Sequence, residues 1–258
     1  MLQEKRLHRI RALLATLSQV STERIIKELG VSRETARRDI IELAAQGLAR
    51  RVHGGLVAID TQPEPPLTIR NTVRAKEKRA IARAAVRLLS PGQTLFLDAG
   101  STTTMLADEL RSMSGLTIIT NSLNAALKLS AAEEYEALNN EVILLGGSMM
   151  SGASQTRGDL TVNEIHRYRA DIALLSPVGI DSQNGATSFH LHEAAIAQAM
   201  VRQSAQRILL ADYSKLGITS RMAYAACTEI NVLVTDCGAI KQPAFALLQK
   251  RLPKVIVG

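Results

Sequence analysis

Residues 20–55 read VSTERIIKELGVSRETARRDIIELAAQGLARRVHGG, and no other stretch limits the fold of this chain so tightly. Upstream of it, Leu7, Ile10, Leu13, Leu14 and Leu17 recur at three- and four-residue spacing, which predicts a first amphipathic helix. Ser21 can cap a second helix with Ile25, Ile26 and Leu29 inward, and Gly30 can close it. Ser32 can cap a third helix with Ala36, Ile40 and Leu43 inward, ending at Gly47. Two short strands, Leu48–Val52 and Leu56–Ile59, then fold over His53-Gly54-Gly55 as a hairpin. A helix, a glycine turn, a basic helix and a basic hairpin, in that order, outline a winged helix-turn-helix that lays its second helix in the DNA major groove.

Charge supports the same reading. Through Ala58 the chain carries eleven Lys and Arg against six Asp and Glu, a net +5 out of the whole chain's +7. Basicity concentrated in under a quarter of the length favours a nucleic-acid face over general surface charge. The candidate DNA face is Ser32, Arg33, Glu34, Thr35, Arg37 and Arg38 on the third helix, with Arg50, Arg51 and His53 on the wing. Arg37 or Arg38 can bind guanine bidentately or grip a phosphate; Arg50 and Arg51 suit the DNA backbone, and His53 suits the turn.

Three prolines within Pro63–Pro66 forbid a helix and stiffen a connector. The expected organisation is a DNA-binding domain over 1–58, a Pro-rich linker over 59–69 and an α/β domain over 70–258. In the last of these a helix over about 74–89 precedes short apolar runs at 94–97, 116–119, 142–145, 172–175, 207–210 and 232–234. Apolar runs of that length, separated by helical stretches, predict a mostly parallel sheet covered on both faces. Ligands of such sheets bind at the carboxyl ends of the strands. Here those ends are Asp98-Ala99-Gly100-Ser101-Thr102-Thr103-Thr104, Thr120-Asn121-Ser122, Gly146-Gly147-Ser148 and Ala211-Asp212-Tyr213-Ser214-Lys215. Small residues, hydroxyls and a cation on one rim suit a small anionic, hydroxyl-rich ligand such as a sugar phosphate.

These motifs together resemble the DeoR family of bacterial transcription regulators. VSRETARRDIIELAAQGLARRVHGG resembles that family's DNA-binding signature. DAGSTTTMLADEL, TNS, LLGG, GID and LLADYSK, in that order, are similar to its sensor. The resemblance implies a repressor of sugar-catabolism genes whose sensor is similar to sugar-phosphate isomerases and binds a phosphorylated sugar. It places Asp98, Gly100, Ser101, Thr102 and Thr103 at the effector, with Asn121, Gly146, Gly147, Glu193 and Lys215 around it. Ser101 stands where the family more often has Thr. The resemblance and the two-fold logic of operators together imply a homo-oligomer, a dimer or tetramer, on double-stranded operator DNA.

Other chemistries are weaker readings of the same residues. The carboxylates Asp98, Asp171, Asp181, Glu193 and Asp212 raise the alternative of an isomerase-like enzyme with an accessory DNA-binding domain. A DNA reader fused to the sheet makes binding the more economical role, so no catalytic residue is expected. His190-x-His192 beside Glu193 can present two zinc ligands, because alternate strand residues face the same way, but no third ligand is near in sequence; no metal and no cofactor are expected. Cys227 and Cys237 form no paired motif, and no apolar run approaches the ~18 residues of a membrane helix, so the expected location is the cytoplasm, with no membrane partner.

Overall fold

The computed structural model describes residues 2–17, 19–46, 48–52, 54–58, 67–131, 140–149 and 154–258. Gly47, His53 and most of the proline-rich linker lie outside the described residues. The chain divides into two compact units, Met1–Val73 and Arg74–Gly258.

The first unit runs α1 (Gln3–Leu17), β1 (Gln19–Ser21), α2 (Thr22–Leu29), α3 (Arg33–Ala45), β2 (Ala49–Val52), β3 (Gly55–Ala58) and α4 (Leu67–Thr72). Its helices start and stop where the side chains dictate. The Ser21 hydroxyl accepts from the Arg24 amide at 3.2 Å, and the Ser32 hydroxyl from the Thr35 amide at 3.2 Å. Gly30, at φ 61°, takes the left-handed conformation that ends α2, and its N–H donates to Ile26 O at 2.9 Å. Ile10, Leu14, Ile25, Ala36, Ile40 and Leu43 meet in one core, with Leu56 beneath the wing.

The wing departs from expectation by one strand. β1 pairs antiparallel with β3, giving a three-stranded sheet in the order β1-β3-β2. Gly54, at φ 87°, makes the turn. Gly55 serves a different need: a Cβ there would lie 2.2 Å from the Val20 carbonyl oxygen, so only glycine lets β1 come this close. Part of the expected linker is helical, since α4 begins at Leu67.

The second unit opens with α5 (Ala75–Val86) and continues β4 (Thr94–Leu97), α6 (Ser101–Leu110), β5 (Thr117–Thr120), α7 (Leu123–Ser130), β6 (Glu141–Leu144), α8 (Asp159–Ile165) and β7 (Ala170–Leu175). There follow β8 (Gly179–Asp181), β9 (Gly185–Ser188), α9 (Leu191–Arg202), β10 (Ser204–Leu210), β11 (Met222–Ala225), β12 (Val232–Thr235), α10 (Pro243–Arg251) and β13 (Val255–Val257). Seven strands form one sheet in the order β13-β12-β10-β7-β4-β5-β6, every neighbouring pair parallel. Side chains of β4 alternate: Leu95 and Leu97 enter the layer containing Ile81 and Leu106, while Phe96 enters the layer containing Ile119 and Met200. Both faces of the sheet are therefore covered, which is why its strands read as unbroken apolar runs.

Two features were not expected. β13 adds an edge strand, and β8, β9 and β11 form a separate antiparallel sheet, order β11-β9-β8. The reading of His190 and His192 as alternating strand residues is corrected: His190 is the N-cap of α9, and His192 lies in its first turn. Two residues apart on a helix do not share a face, so the geometry that would have paired them on a metal is lost. Among the described residues Arg74 alone has a positive φ without being glycine, at 52°. Left-handed backbone costs a residue with a Cβ about 1–2 kcal/mol, so the surroundings must hold it there.

Candidate functional site

α3 buries Ala36, Asp39, Ile40 and Leu43 and turns Ser32, Arg33, Glu34, Arg37 and Arg38 to solvent, with Thr35 half-buried. The inward stripe therefore leaves a continuous basic face outward. A groove of about 1070 Å³ runs along that face, lined by Arg33, Glu34 and Arg37 of α3, by Ser21 to Glu23, and by Arg51 and Gly54 of the wing. Arg38 is not among the lining residues: its Nε lies 3.4 Å from Glu34 Oε1 one turn back, and both side chains are well exposed. Arg50 sits on β2, paired to Val57 across the wing; His53 lies outside the described residues.

Two contacts hold the face in shape. Arg6 of α1 donates from Nε and Nη2 to both oxygens of Asp39, at 2.7 and 2.9 Å, and Asp39 is fully buried. Asp39 is thus no part of the outward charge; it fastens the underside of α3 to α1. At the wing, the Thr22 amide and hydroxyl both donate to Gly54 O, at 2.8 and 3.1 Å, fixing the turn to the start of α2.

In the second unit the expected effector residues gather at one end of the parallel sheet. Asp98 leaves β4, and its carboxylate accepts the next amide, Ala99, at 2.8 Å. Gly100 is the N-cap of α6, whose first residues Ser101, Thr102, Thr103 and Thr104 are all buried. Thr103 and Thr104 turn their hydroxyls back to Gly100 O, at 3.0 and 2.6 Å. The Thr102 hydroxyl is buried with no hydrogen-bond partner among the described residues. Asn121 follows β5; its amide nitrogen donates to Thr156 O at 3.2 Å, leaving its buried Oδ1 likewise without a hydrogen bond.

Gly146 and Gly147 leave β6. The Gly146 amide donates to Glu164 of α8 at 2.5 Å, and Gly146 O accepts from the Thr161 hydroxyl at 2.7 Å. Gly147, at φ 146°, has no room for a side chain: a Cβ would lie 2.1 Å from the Thr161 hydroxyl. Glu193, in the first turn of α9, accepts from Gln155 at 3.0 Å and Ser188 at 3.1 Å, and Gln155 is bridged to Ser122 after β5. Lys215 sits in a 3₁₀ turn beyond β10; its Nζ donates to Pro177 O at 2.5 Å and reaches the Ser176 hydroxyl at 3.4 Å. Ser176 in turn packs at Gly100, where an added Cβ would lie 3.1 Å from the serine Cβ. The rim thus joins residues from β4, β5, β6, β7 and β10. Gln155, Thr156, Glu164 and Thr161 belong to it without having been singled out in the sequence.

Behind Lys215 lies a compact ion cluster. Asp212, 1% exposed, accepts from the Ser214 amide and hydroxyl at 3.1 and 2.6 Å, and Arg74 Nε lies 3.7 Å from its Oδ1. Burial pushes this carboxyl up, but Lys215, Arg74, the Ser214 hydrogen bond and Lys78 together hold it below the ordinary carboxylate range. Burial pushes the neighbouring Asp236 carboxyl up, and the charge of Asp212 adds to the rise, against amide hydrogen bonds from Tyr213 and Gly238. Among the described residues no group of three His, Cys, Asp or Glu is placed to hold a metal, and no helix is long and apolar enough to cross a membrane.

Comparison with known proteins agrees with this division. A DeoR-like helix-turn-helix domain model matches residues 6–62, and a DeoR C terminal sensor domain model matches residues 73–237. The glycerol-3-phosphate regulon repressor of Escherichia coli (strain K12) is 33% identical over 236 residues, covering 92% of each chain. The transcriptional repressor GlcR of Bacillus subtilis (strain 168) is 36% identical over 237 residues, covering 92% of this chain and 89% of that one. A ribose-5-phosphate isomerase structure shares 14% identity over 55% of this chain and 53% of its own, with a TM-score of 0.38, too distant to bear on function. The relatives are regulators, and the enzymatic alternative falls with them. Both of its domains and its nearly full-length relatives place this chain in the DeoR family of helix-turn-helix transcriptional regulators.

Proposed function

We propose that this regulator is a repressor that binds operator DNA as a dimer or tetramer and releases it when a phosphorylated sugar occupies the strand-end rim. Residues 1–58 read DNA through Ser32, Arg33, Glu34, Thr35, Arg37 and Arg38, with Arg50, Arg51 and His53 contributing from the wing; residues 59–69 connect, and residues 70–258 sense. The effector lies at Asp98, Gly100, Ser101, Thr102 and Thr103, bounded by Asn121, Gly146, Gly147, Glu193 and Lys215. The observation that carries this reading is the buried Thr102 hydroxyl without a partner at the N-terminus of α6. A buried hydroxyl left unpaired is costly, and a helix N-terminus favours an anion, so a phosphate would satisfy both at once. Repression itself is supported by the names of the relatives.

The test is fluorescence anisotropy of the full chain on DNA from upstream of its own and neighbouring genes. It is run at fixed salt against unrelated competitor, with inorganic phosphate, glycerol 3-phosphate and a series of hexose phosphates. Selective binding that one phosphorylated compound releases is the expected result. Thr102→Val removes the hydroxyl at nearly constant volume; it should keep operator affinity while raising the releasing concentration roughly tenfold or more, the scale of a lost hydrogen bond to a charged group. Release at the wild-type concentration would remove Thr102 from the site. Indifference to DNA sequence and to every compound would sink the repressor reading.

A further inference from the structure

Arg74 combines three properties that its neighbours lack. It is the first residue of the second unit and the N-cap of α5, and it holds a left-handed backbone without a side-chain cap bond. Its guanidinium is mostly buried, 5.4 Å from the ring centre of Tyr213 and 3.7 Å from Asp212 Oδ1. Stacking and charge together hold a conformation that the backbone alone disfavours. Yet the ion pair is loose: a charge-assisted hydrogen bond to a carboxylate runs at about 2.7–2.9 Å. The Arg74 pair can therefore still close.

Lys215 follows Asp212 in the same turn, its N–H donating to Asp212 O at 2.9 Å and its charge acting on the Asp212 carboxylate, and its head group reaches Ser176, which packs against Gly100 at the start of α6. Lys78, one turn into α5 and itself buried, adds its charge to those acting on the same carboxylate, and the Asp236 carboxyl feels the charge of Asp212 in turn. An anion at α6 competes with Asp212 for Lys215. As Lys215 turns toward the anion, Asp212 is left to Arg74 and Lys78, and its attraction for Arg74 rises.

We propose that Arg74 is the residue through which occupancy of the rim reaches the chain entering the sensor, by tightening on Asp212 when a bound phosphate draws Lys215 away. This rests on the effector site proposed above. It supplies the differential interaction that a coupled change requires: the ligand-bound rim favours a close Arg74–Asp212 pair, and the empty rim favours the loose one. It also gives the left-handed conformation a use, since closing the pair must act on the first turn of α5 and on the peptide joining Val73 to Arg74.

Hydrogen exchange of the full-length protein, with inorganic phosphate and then glycerol 3-phosphate as probes, reads both ends of this path. In the wild type the ligand should slow exchange in Asp98–Thr104 and also in Arg74–Ile81. Arg74→Gly keeps the left-handed backbone without strain and deletes the guanidinium; it should retain the slowing at Asp98–Thr104 and lose it at Arg74–Ile81. Arg74→Lys, which keeps the charge, should restore part of the second response. A role for Arg74 in holding the fold alone would leave the ligand response of α5 intact in Arg74→Gly, and that result overturns the proposal. Slowing at Asp98–Thr104 alone in the wild type also overturns it. Slowing at neither segment with any probe refutes the effector site, and the coupling falls with it.

Discussion

Replacing Arg37 by Ala is expected to weaken operator binding by roughly ten- to a hundredfold, the range set by the ~1–3 kcal/mol that a bidentate base contact carries. Effector binding should not change. The structure separates Arg37 from its neighbour: Arg37 lines the groove between α3 and the wing, whereas Arg38 is exposed and near Glu34 in an i,i+4 pair. Such a pair is worth a few tenths of a kcal/mol, so it does not prevent Arg38 from reaching a phosphate, but it does not aim it at a base either. Arg38→Ala should therefore cost less, and cost about the same on every DNA sequence. Anisotropy on operator and on scrambled DNA over a range of salt decides the matter. Arg37→Ala should reduce the preference for operator, and Arg38→Ala should reduce the salt slope by about one. Equal, sequence-independent losses from both variants would mean that α3 is not the reading helix in this orientation.

The second large effect is expected from the ion pair buried beneath α3. Asp39→Asn keeps the shape of the side chain but presents an amide to the two donors of Arg6, and Arg6→Ala leaves a fully buried carboxylate without its partner. Breaking one side of a buried pair leaves the other charge uncompensated, which is far worse than removing both. Either variant should melt the first unit well below the second, giving two separated transitions by calorimetry, and should abolish operator binding at temperatures where the sensor is folded and still binds its effector. The double replacement Arg6→Met with Asp39→Leu should recover much of the lost stability. An unchanged melting profile in Asp39→Asn would show that α3 is held by its apolar stripe alone.

Asp39 also shows where sequence reasoning stopped short. Counted among the acids of a basic segment, it looks like surface charge. Yet it falls on the stripe of Ala36, Ile40 and Leu43, and that spacing was the available signal that it faces inward. The helices of the first unit were legible because their caps and apolar spacing are local, and the central parallel strands because burial on both faces leaves long apolar runs. β1 was not legible: three residues carry no period, and their partner lies more than thirty positions away at Gly55–Val57. The β8, β9 and β11 sheet was hidden for the same reason, being three- and four-residue strands rich in glycine and alanine. At the rim, glycines and hydroxyls directly after strands announced themselves. Gln155 and Thr156 did not, because they join it through contacts made only once the sheet has closed. His190 and His192 failed differently, since an alternating polar pair was read as strand when it opens a helix.

Fastening Gly54 O to the amide and hydroxyl of Thr22 has a consequence for how long a complex lasts. A free hairpin would have to surrender its motion on reaching the duplex, and that entropy would be subtracted from every contact it made. Here Gly54 O is already held by Thr22 at the start of α2, so less freedom remains to be lost at the moment of docking. The same restraint ties the wing to the start of α2, so a wing seated on DNA would be expected to leave together with the helices behind it. Slow escape from operator DNA, more than fast capture, is the kinetic signature this arrangement favours.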